Sequence, residues 1–148
     1  MADVIVDQLA PEEVATIVQL YNQVVRPPLS HDDLTRRYQG RNNVVQMVAR
    51  MGEAPVGFLI GFEEKPEVFN LWFLGVLTQH RRQGVASQLV EALESWAGEN
   101  GYEHILCECF NQQRPMMLYL IQTGFDIVGL RYDTNHGENR ILWQKSLT

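Results

Sequence analysis

Hydrophobic positions along this chain switch between two spacings, and the switches mark its elements. Residues 4–6 are a short apolar run that opens the fold as a strand. After Pro11-Glu12-Glu13 the period lengthens. Val14, Ile17, Val18, Tyr21, Val24 and Val25 recur at helical spacing, which draws one apolar helix face. Proline and acids suit the first turn of such a helix, and Pro27-Pro28 ends it. Ser30-His31-Asp32-Asp33 has the form of a capping box and predicts a second short helix reaching about residue 39.

Residues 44–49 and 56–62 are apolar runs of strand length, joined by the turn Gly52-Glu53-Ala54-Pro55. Glu63-Glu64-Lys65-Pro66 separates them from a fourth strand over residues 68–76. Helical spacing returns at Val85, Leu89, Val90, Leu93, Trp96 and Ala97, and Gly101 marks its end. Residues 104–109 predict a fifth strand. Residues 115–123 predict a last helix, stopped by Gly124. Residues 126–132 and 140–145 predict two closing strands across Thr134-Asn135-His136-Gly137. The order β-α-α-β-β-β-α-β-α-β-β predicts an α/β (α+β) architecture: one mixed central sheet with helices on both faces.

The junction after the fourth strand carries the chemistry. It reads Val76-Leu77-Thr78-Gln79-His80-Arg81-Arg82-Gln83-Gly84-Val85-Ala86-Ser87. The first-turn amides of a helix lack intrahelical partners, and the helix dipole adds partial positive charge there. Gly84 permits an unusual backbone angle and close approach by a ligand, Ala86 is small, and Arg81 and Arg82 add cationic charge. These features predict a pocket for a phosphate or pyrophosphate. The spacing matches neither the dinucleotide fingerprint Gly-x-Gly-x-x-Gly nor a Walker loop.

Arg81-Arg82-Gln83-Gly84-Val85-Ala86 resembles the acyl-CoA signature [Arg/Gln]-x-x-Gly-x-[Gly/Ala] of the GNAT N-acetyltransferase superfamily. The element order is similar to that fold along the whole chain, so the resemblance implies one GNAT domain over residues 1–148, with a mixed, mostly antiparallel central sheet and helices on both faces. Val56-Gly57-Phe58, Gly124-Phe125 and the closing run Leu142-Trp143-Gln144-Lys145-Ser146-Leu147 support it. The implied activity is direct transfer of an acetyl group from acetyl-CoA, as cosubstrate, to an amine acceptor, either a small molecule or a protein.

The resemblance assigns pantetheine contacts to Leu74, Gly75 and Val76, with Gly75 at a bulge or close approach. It assigns the pyrophosphate to the amides from Arg82 to Ser87, beside Arg81, with Ser87 adding a hydroxyl. A second family segment, Asn-x-x-Ala-x-x-x-Tyr-x-x-x-Gly-Phe, aligns with Gln113 through Phe125. There Gln113 takes the Asn position and Leu120 the Tyr position. Tyr119 stands one residue early, a rotation of about 100° on a helix. Tyr119 is the implied proton donor to the leaving thiolate, and Asn111 the implied amide contact to pantetheine. The family's strand-four Glu is replaced by Asn70, so Glu67, Glu108, His31 and His80 are base candidates by residue type. The implied acceptor site uses residues 26–31 and 132–138, with Tyr21, Trp72 and Tyr132 as an aromatic wall. Asp32, Asp33, Asp133 and Glu138 would attract a cationic amine.

Composition narrows the alternatives. The 148 residues suffice for one domain with a real core. Eighteen acidic and twelve basic residues give a formal charge of −6, which argues against nucleic acid as a partner. No apolar run approaches the roughly 20 residues of a membrane span, so no membrane partner is expected. The N-terminal segment, residues 1–7, lacks the cationic region of a signal peptide. Cys107 and Cys109, two apart on one strand, point the same way and suit reduced thiols in a cytoplasmic protein better than a strained disulfide. No metal site is expected, since no second Cys or His pair lies nearby. A homodimer is a family-based expectation. The departures at Asn70 and Tyr119 keep a second reading open, a non-catalytic acyl-CoA-binding regulatory module. A third is a domain using the loop for another phosphorylated ligand.

Overall fold

The computed structural model describes residues 3–148. Met1 and Ala2, included in the readings of the N-terminal segment and of the 1–148 domain, lie outside the described residues. The elements in chain order are β1 (Val4–Leu9), α1 (Ala15–Val24), α2 (His31–Tyr38), β2 (Asn42–Met51), β3 (Ala54–Lys65), β4 (Val68–Val76), α3 (Val85–Glu99), β5 (His104–Phe110), α4 (Arg114–Gln122), β6 (Asp126–Asp133) and β7 (Glu138–Ser146), with a 3-10 turn at Thr78–His80. The strands form one seven-stranded sheet in the order β1-β2-β3-β4-β5-β7-β6. Every neighbouring pair is antiparallel except β4–β5, which is parallel. The expected mixed, mostly antiparallel sheet is therefore present.

Strand alternation sends side chains to two helical layers. On one face α3 and α4 bury Val85, Leu89, Leu93 and Leu120 against Phe69, Ile105, Cys107 and Trp143. On the other, α1 and α2 bury Ile17, Leu20, Tyr21 and Leu34 against Val48, Phe58 and Ile60. The Lys145 ammonium donates to Glu94 at 2.7 Å and ties β7 to α3.

The boundaries differ from the sequence pattern where tertiary contacts compete. α1 starts at Ala15 rather than at Pro11. Residues 10–13 form a turn instead, with the Glu13 N–H on the Ala10 carbonyl at 2.9 Å. Gln46, fully buried on β2, pins that turn by donating to the Ala10 and Glu13 carbonyls at 2.8 and 3.1 Å, while Tyr38 donates to its side-chain oxygen at 2.6 Å. Such a buried amide is tolerable because it is paired throughout. β3 runs on to Lys65, so the expected separator shrinks to Pro66 and Glu67. The capping box forms as expected: the Asp33 N–H donates to the Ser30 hydroxyl at 3.0 Å and the Ser30 N–H to the Asp33 carboxylate at 3.1 Å.

The irregularity in β4 lies at Trp72 rather than at Gly75. Gly61 faces Leu71 and Ile60 faces Phe73, which leaves Trp72 as the extra residue. Gly75 meets the close-approach half of its reading, but for packing. A Cβ there would stand 2.5 Å from Cε1 of Phe58, its cross-strand partner.

Candidate active site

β4 and β5 pair only from Val68↔His104 to Leu71↔Cys107. Beyond that point β4 stays with β3 as far as Val76, and β5 stays with β7 as far as Phe110. A wedge thus opens in the middle of the sheet, between the C-terminal halves of its only parallel pair among the described residues. The bulge turns both Trp72 and Phe73 toward the α1/α2 layer, while Leu74 and Val76 pack toward α3. Residues 72–76 therefore present to the wedge a backbone edge that β5 does not use.

The chain leaves β4 with the Leu77 N–H on the Val56 carbonyl at 2.9 Å, makes the 3-10 turn, and enters α3. Arg82 and Gly84 both hold positive φ, at 63° and 80°. Gly84 is the N-cap of α3, no side chain caps that helix, and its first turn holds no acid. Gln88 makes the first bond back, to the Gly84 carbonyl at 3.0 Å, so the N–H groups of Val85, Ala86 and Ser87 have no intrahelical partner. A Cβ at Gly84 would meet nothing within 4 Å, so this side of the loop is open. Alternating backbone angles, free amides and a helix dipole make an anion cradle built from main chain. Arg81, Arg82 and Gln83 are all exposed, and Arg81 also donates from Nε to the Val76 carbonyl at 3.2 Å.

Tyr119 is half-buried in the α3/α4 layer. Burial pushes its hydroxyl pKa up, and the facing Ser87 hydroxyl opposes the rise. The early tyrosine thus reaches the first turn of α3. Asn111 is exposed just beyond β5, with its N–H on the Asn139 carbonyl at 3.0 Å. Gln113, at the family's Asn position, is exposed, and its side-chain oxygen accepts from the Phe110 N–H at 2.6 Å and closes the turn into α4.

The base candidates scatter. Glu67 lies in the β3–β4 turn, at the closed end of the β4–β5 pair, beside a concavity of about 410 Å³. His31 begins α2 on the surface, and His80 ends the 3-10 turn. Glu108 is the first β5 residue past the paired stretch, but its oxygens accept from Arg131 at 3.1 Å and Arg140 at 3.0 Å. Two of the four acids expected to attract a cationic amine are also engaged, whereas Asp32 has no ion-pair partner among the described residues and Oε1 of Glu138 is buried without a hydrogen-bond partner. Asp133 accepts from Arg140 at 2.8 Å and faces His136 at 3.2 Å, contacts that hold its carboxyl well below the usual range. Asp33 is held by Ser30 and Arg36. Of the expected aromatic wall, Tyr21 and Trp72 join through Phe73, at centroid distances of 5.1 and 4.6 Å. Tyr132 is 60% exposed on β6.

The model of the acetyltransferase (GNAT) family matches residues 12–125, which span the wedge, the loop and α4. This chain belongs to the GNAT family. N-acetyltransferase 8F1 of Rattus norvegicus is 29% identical over 107 residues, 69% of this chain and 48% of that protein. N-acetyltransferase 8B of Rattus norvegicus is 29% identical over 102 residues, 66% of this chain and 46% of that protein. The chain thus spans about half the length of the curated relatives it matches. Among solved structures, the ribosomal-protein-S18-alanine N-acetyltransferase from Escherichia coli superposes with a TM-score of 0.84 at 16% identity, over 99% of this chain and 95% of that one. A GNAT family acetyltransferase from Elizabethkingia anophelis with acetyl-CoA bound gives 0.79 at 13% identity, over 97% of each chain. At these identities the likeness is one of fold, and it confirms the expected GNAT architecture.

Sequence reasoning overlooked the basic residues on the α1/α2 side of this GNAT domain. Burial raises the Tyr21 hydroxyl pKa, and the adjacent Arg37 guanidinium opposes that rise. Arg41 stacks 4.1 Å above the Phe62 ring, next to Trp72. One signal was available: Arg26, Arg36, Arg37 and Arg41 are four of the twelve basic residues in an acidic chain.

Proposed function

We propose that the chain is an acetyl-CoA-dependent N-acetyltransferase, one GNAT domain that moves an acetyl group directly to an amine. The observation that carries this reading is the conjunction of the β4–β5 wedge with an uncapped, open α3 N-terminus at its mouth. Amides of residues 82–87 would hold the pyrophosphate. The free edge of β4 at Leu74, Gly75 and Val76 would hold the pantetheine arm, facing Asn111. Acetyl-CoA supplies the acetyl thioester, and amides of the same edge would polarise its carbonyl.

Tyr119 is the proposed acid. Its raised pKa keeps the hydroxyl protonated at neutral pH, ready to give its proton to the departing sulfur. No side chain is assigned as base; holding the amine against the thioester supplies much of the rate. Direct transfer is supported by the thiols. Cys107 is buried with its pKa pushed up to about 12, and Cys109 accepts from the Trp143 indole N–H at 3.2 Å. Neither is an activated nucleophile.

Both free cysteines suit a cytoplasmic protein. Among the described residues, no helix is long and apolar enough to cross a membrane. A second copy of the chain suits the β6 edge, where Ile127, Val128, Leu130 and Tyr132 are exposed on a strand lacking an outer neighbour. The test of activity is thiol release from acetyl-CoA with pooled polyamines, aminoglycosides, amino acids and short peptides. Release dependent on one pool supports the reading and names the acceptor class. Absence of both release and an acetyl-CoA-induced rise in melting temperature rejects it. A rise without release with any pool favours the CoA-binding module.

A further inference from the structure

On the acceptor side of the wedge, the lining of one cleft carries two guanidinium groups and one carboxylate, where the sequence led to the expectation of acids. Trp72 and Phe73 lead from the free half of β4 to Tyr21 on α1, and Tyr21 leads to Arg37 on α2. Beside them, between α1 and α2, lies a cleft of about 450 Å³ bounded by Pro27, Pro28, Leu29, Asp33, Arg36 and Arg37. Its floor is fixed. The Leu29 N–H donates to Oδ1 of Asn22 at 2.8 Å, and Nδ2 of Asn22 donates to the Leu29 carbonyl at 2.9 Å.

The one acid on the cleft lining, Asp33, is already paired, and Asp32, exposed in the first turn of α2, does not bound the cleft. Asp33 accepts from the Ser30 N–H and from Arg36 at 3.0 Å. Across the wedge, Glu108 pairs with Arg131 and Arg140, and Asp133 pairs with Arg140. Among the described residues, Arg37 has no carboxylate within ion-pair distance. On the cleft lining an ammonium ion would find no unpaired carboxylate, whereas a carboxylate would find a guanidinium whose planar fork fits it.

Resting on the acetyltransferase reading, we propose that the acceptor is an amine that also carries a carboxylate, bound by Arg37 with Arg36 in the α1–α2 cleft. Amino acids and peptides with a free C-terminus have this chemistry.

The test uses matched acceptors, amino acids and dipeptides with a free carboxylate against their carboxamides, in the thiol-release assay. The free acids should show a KM at least about tenfold lower. Arg37→Gln and Arg36→Gln should each raise that KM several-fold, leave kcat within about twofold, and leave the amides unaffected. Arg37→Lys should restore part of the loss. A binding arm needs no turnover: N-acetylated dipeptides, acid and amide, are titrated by calorimetry in the presence of CoA into the wild type and into Arg37→Gln. Preference for the acid that disappears in Arg37→Gln supports the proposal. Equal or better use or binding of the amides, or no binding of the acid, overturns it. Acetyl-CoA that neither binds nor releases thiol rejects the acetyltransferase reading instead, so the two failures are separable.

Discussion

The two sides of β4 are built from different parts of the polypeptide. Toward α3 the proposed cofactor site is backbone: free amides at Val85, Ala86 and Ser87, positive φ at Arg82 and Gly84, and an unpaired strand edge. The side chains of Arg81, Arg82 and Gln83 there are exposed. Toward α1 and α2 it is side chain: half-buried Trp72 and Phe73 beside the buried Tyr21, and exposed Arg37 next to Arg36. A main-chain site depends on which conformations its residues permit and tolerates changes of side chain. A side-chain site changes with each substitution, so acceptor preference can diverge while the cofactor site persists.

The sharpest test of this contrast is Tyr119, a side chain proposed to act on the main-chain side. Tyr119→Phe should lower kcat about 100-fold while leaving acetyl-CoA affinity and melting temperature nearly unchanged. In the wild type that contribution should vanish as pH rises through a value above the ordinary 10, since burial raises the group. Turnover unchanged at every pH would remove Tyr119 from the mechanism.

Next is Gly84→Val. A β-branched residue at φ 80° meets no neighbour but strains the backbone by about 1–3 kcal/mol, which should weaken acetyl-CoA binding about tenfold to a hundredfold. Gln83→Ala should change it less than twofold. Calorimetric titration of both variants breaks the comparison if Gln83 matters more than Gly84.

Gly75→Val addresses stability rather than binding. Its Cβ would meet the Phe58 ring, so overpacking should cost about 1–3 kcal/mol in denaturant unfolding. Unchanged stability would show that β4 shifts freely.

The smallest effect is expected at Asp133→Asn. The carboxyl is held low, first by Arg140 and then by His136. A depressed folded pKa stabilises fully above the unfolded value of about 3.9. That contribution fades as pH falls toward the folded value. The variant should therefore melt below the wild type at pH 7, and the gap should close in strong acid. A gap independent of pH would assign the loss to packing in the β6–β7 hairpin.

By itself, the sequence determined what depends on neighbours along the chain. Helix faces, the Ser30–Asp33 capping box, the order of elements and the glycine at the mouth of α3 follow from local spacing and backbone freedom, and each appears as expected. Tertiary structure decided where distant residues compete for the same group. Gln46, reaching across from β2, moved the start of α1. Register against β3 placed the bulge at Trp72 and left Gly75 to make room for Phe58. Phe110 took the Gln113 side chain that the motif reserved for a ligand. Arg140 and Arg36 occupied Asp133 and Asp33, two of the four acids expected to draw a cationic amine, while Arg37 has no ion-pair partner among the described residues. Partner choice among polar groups is set by folded distances, and a linear pattern does not carry those distances.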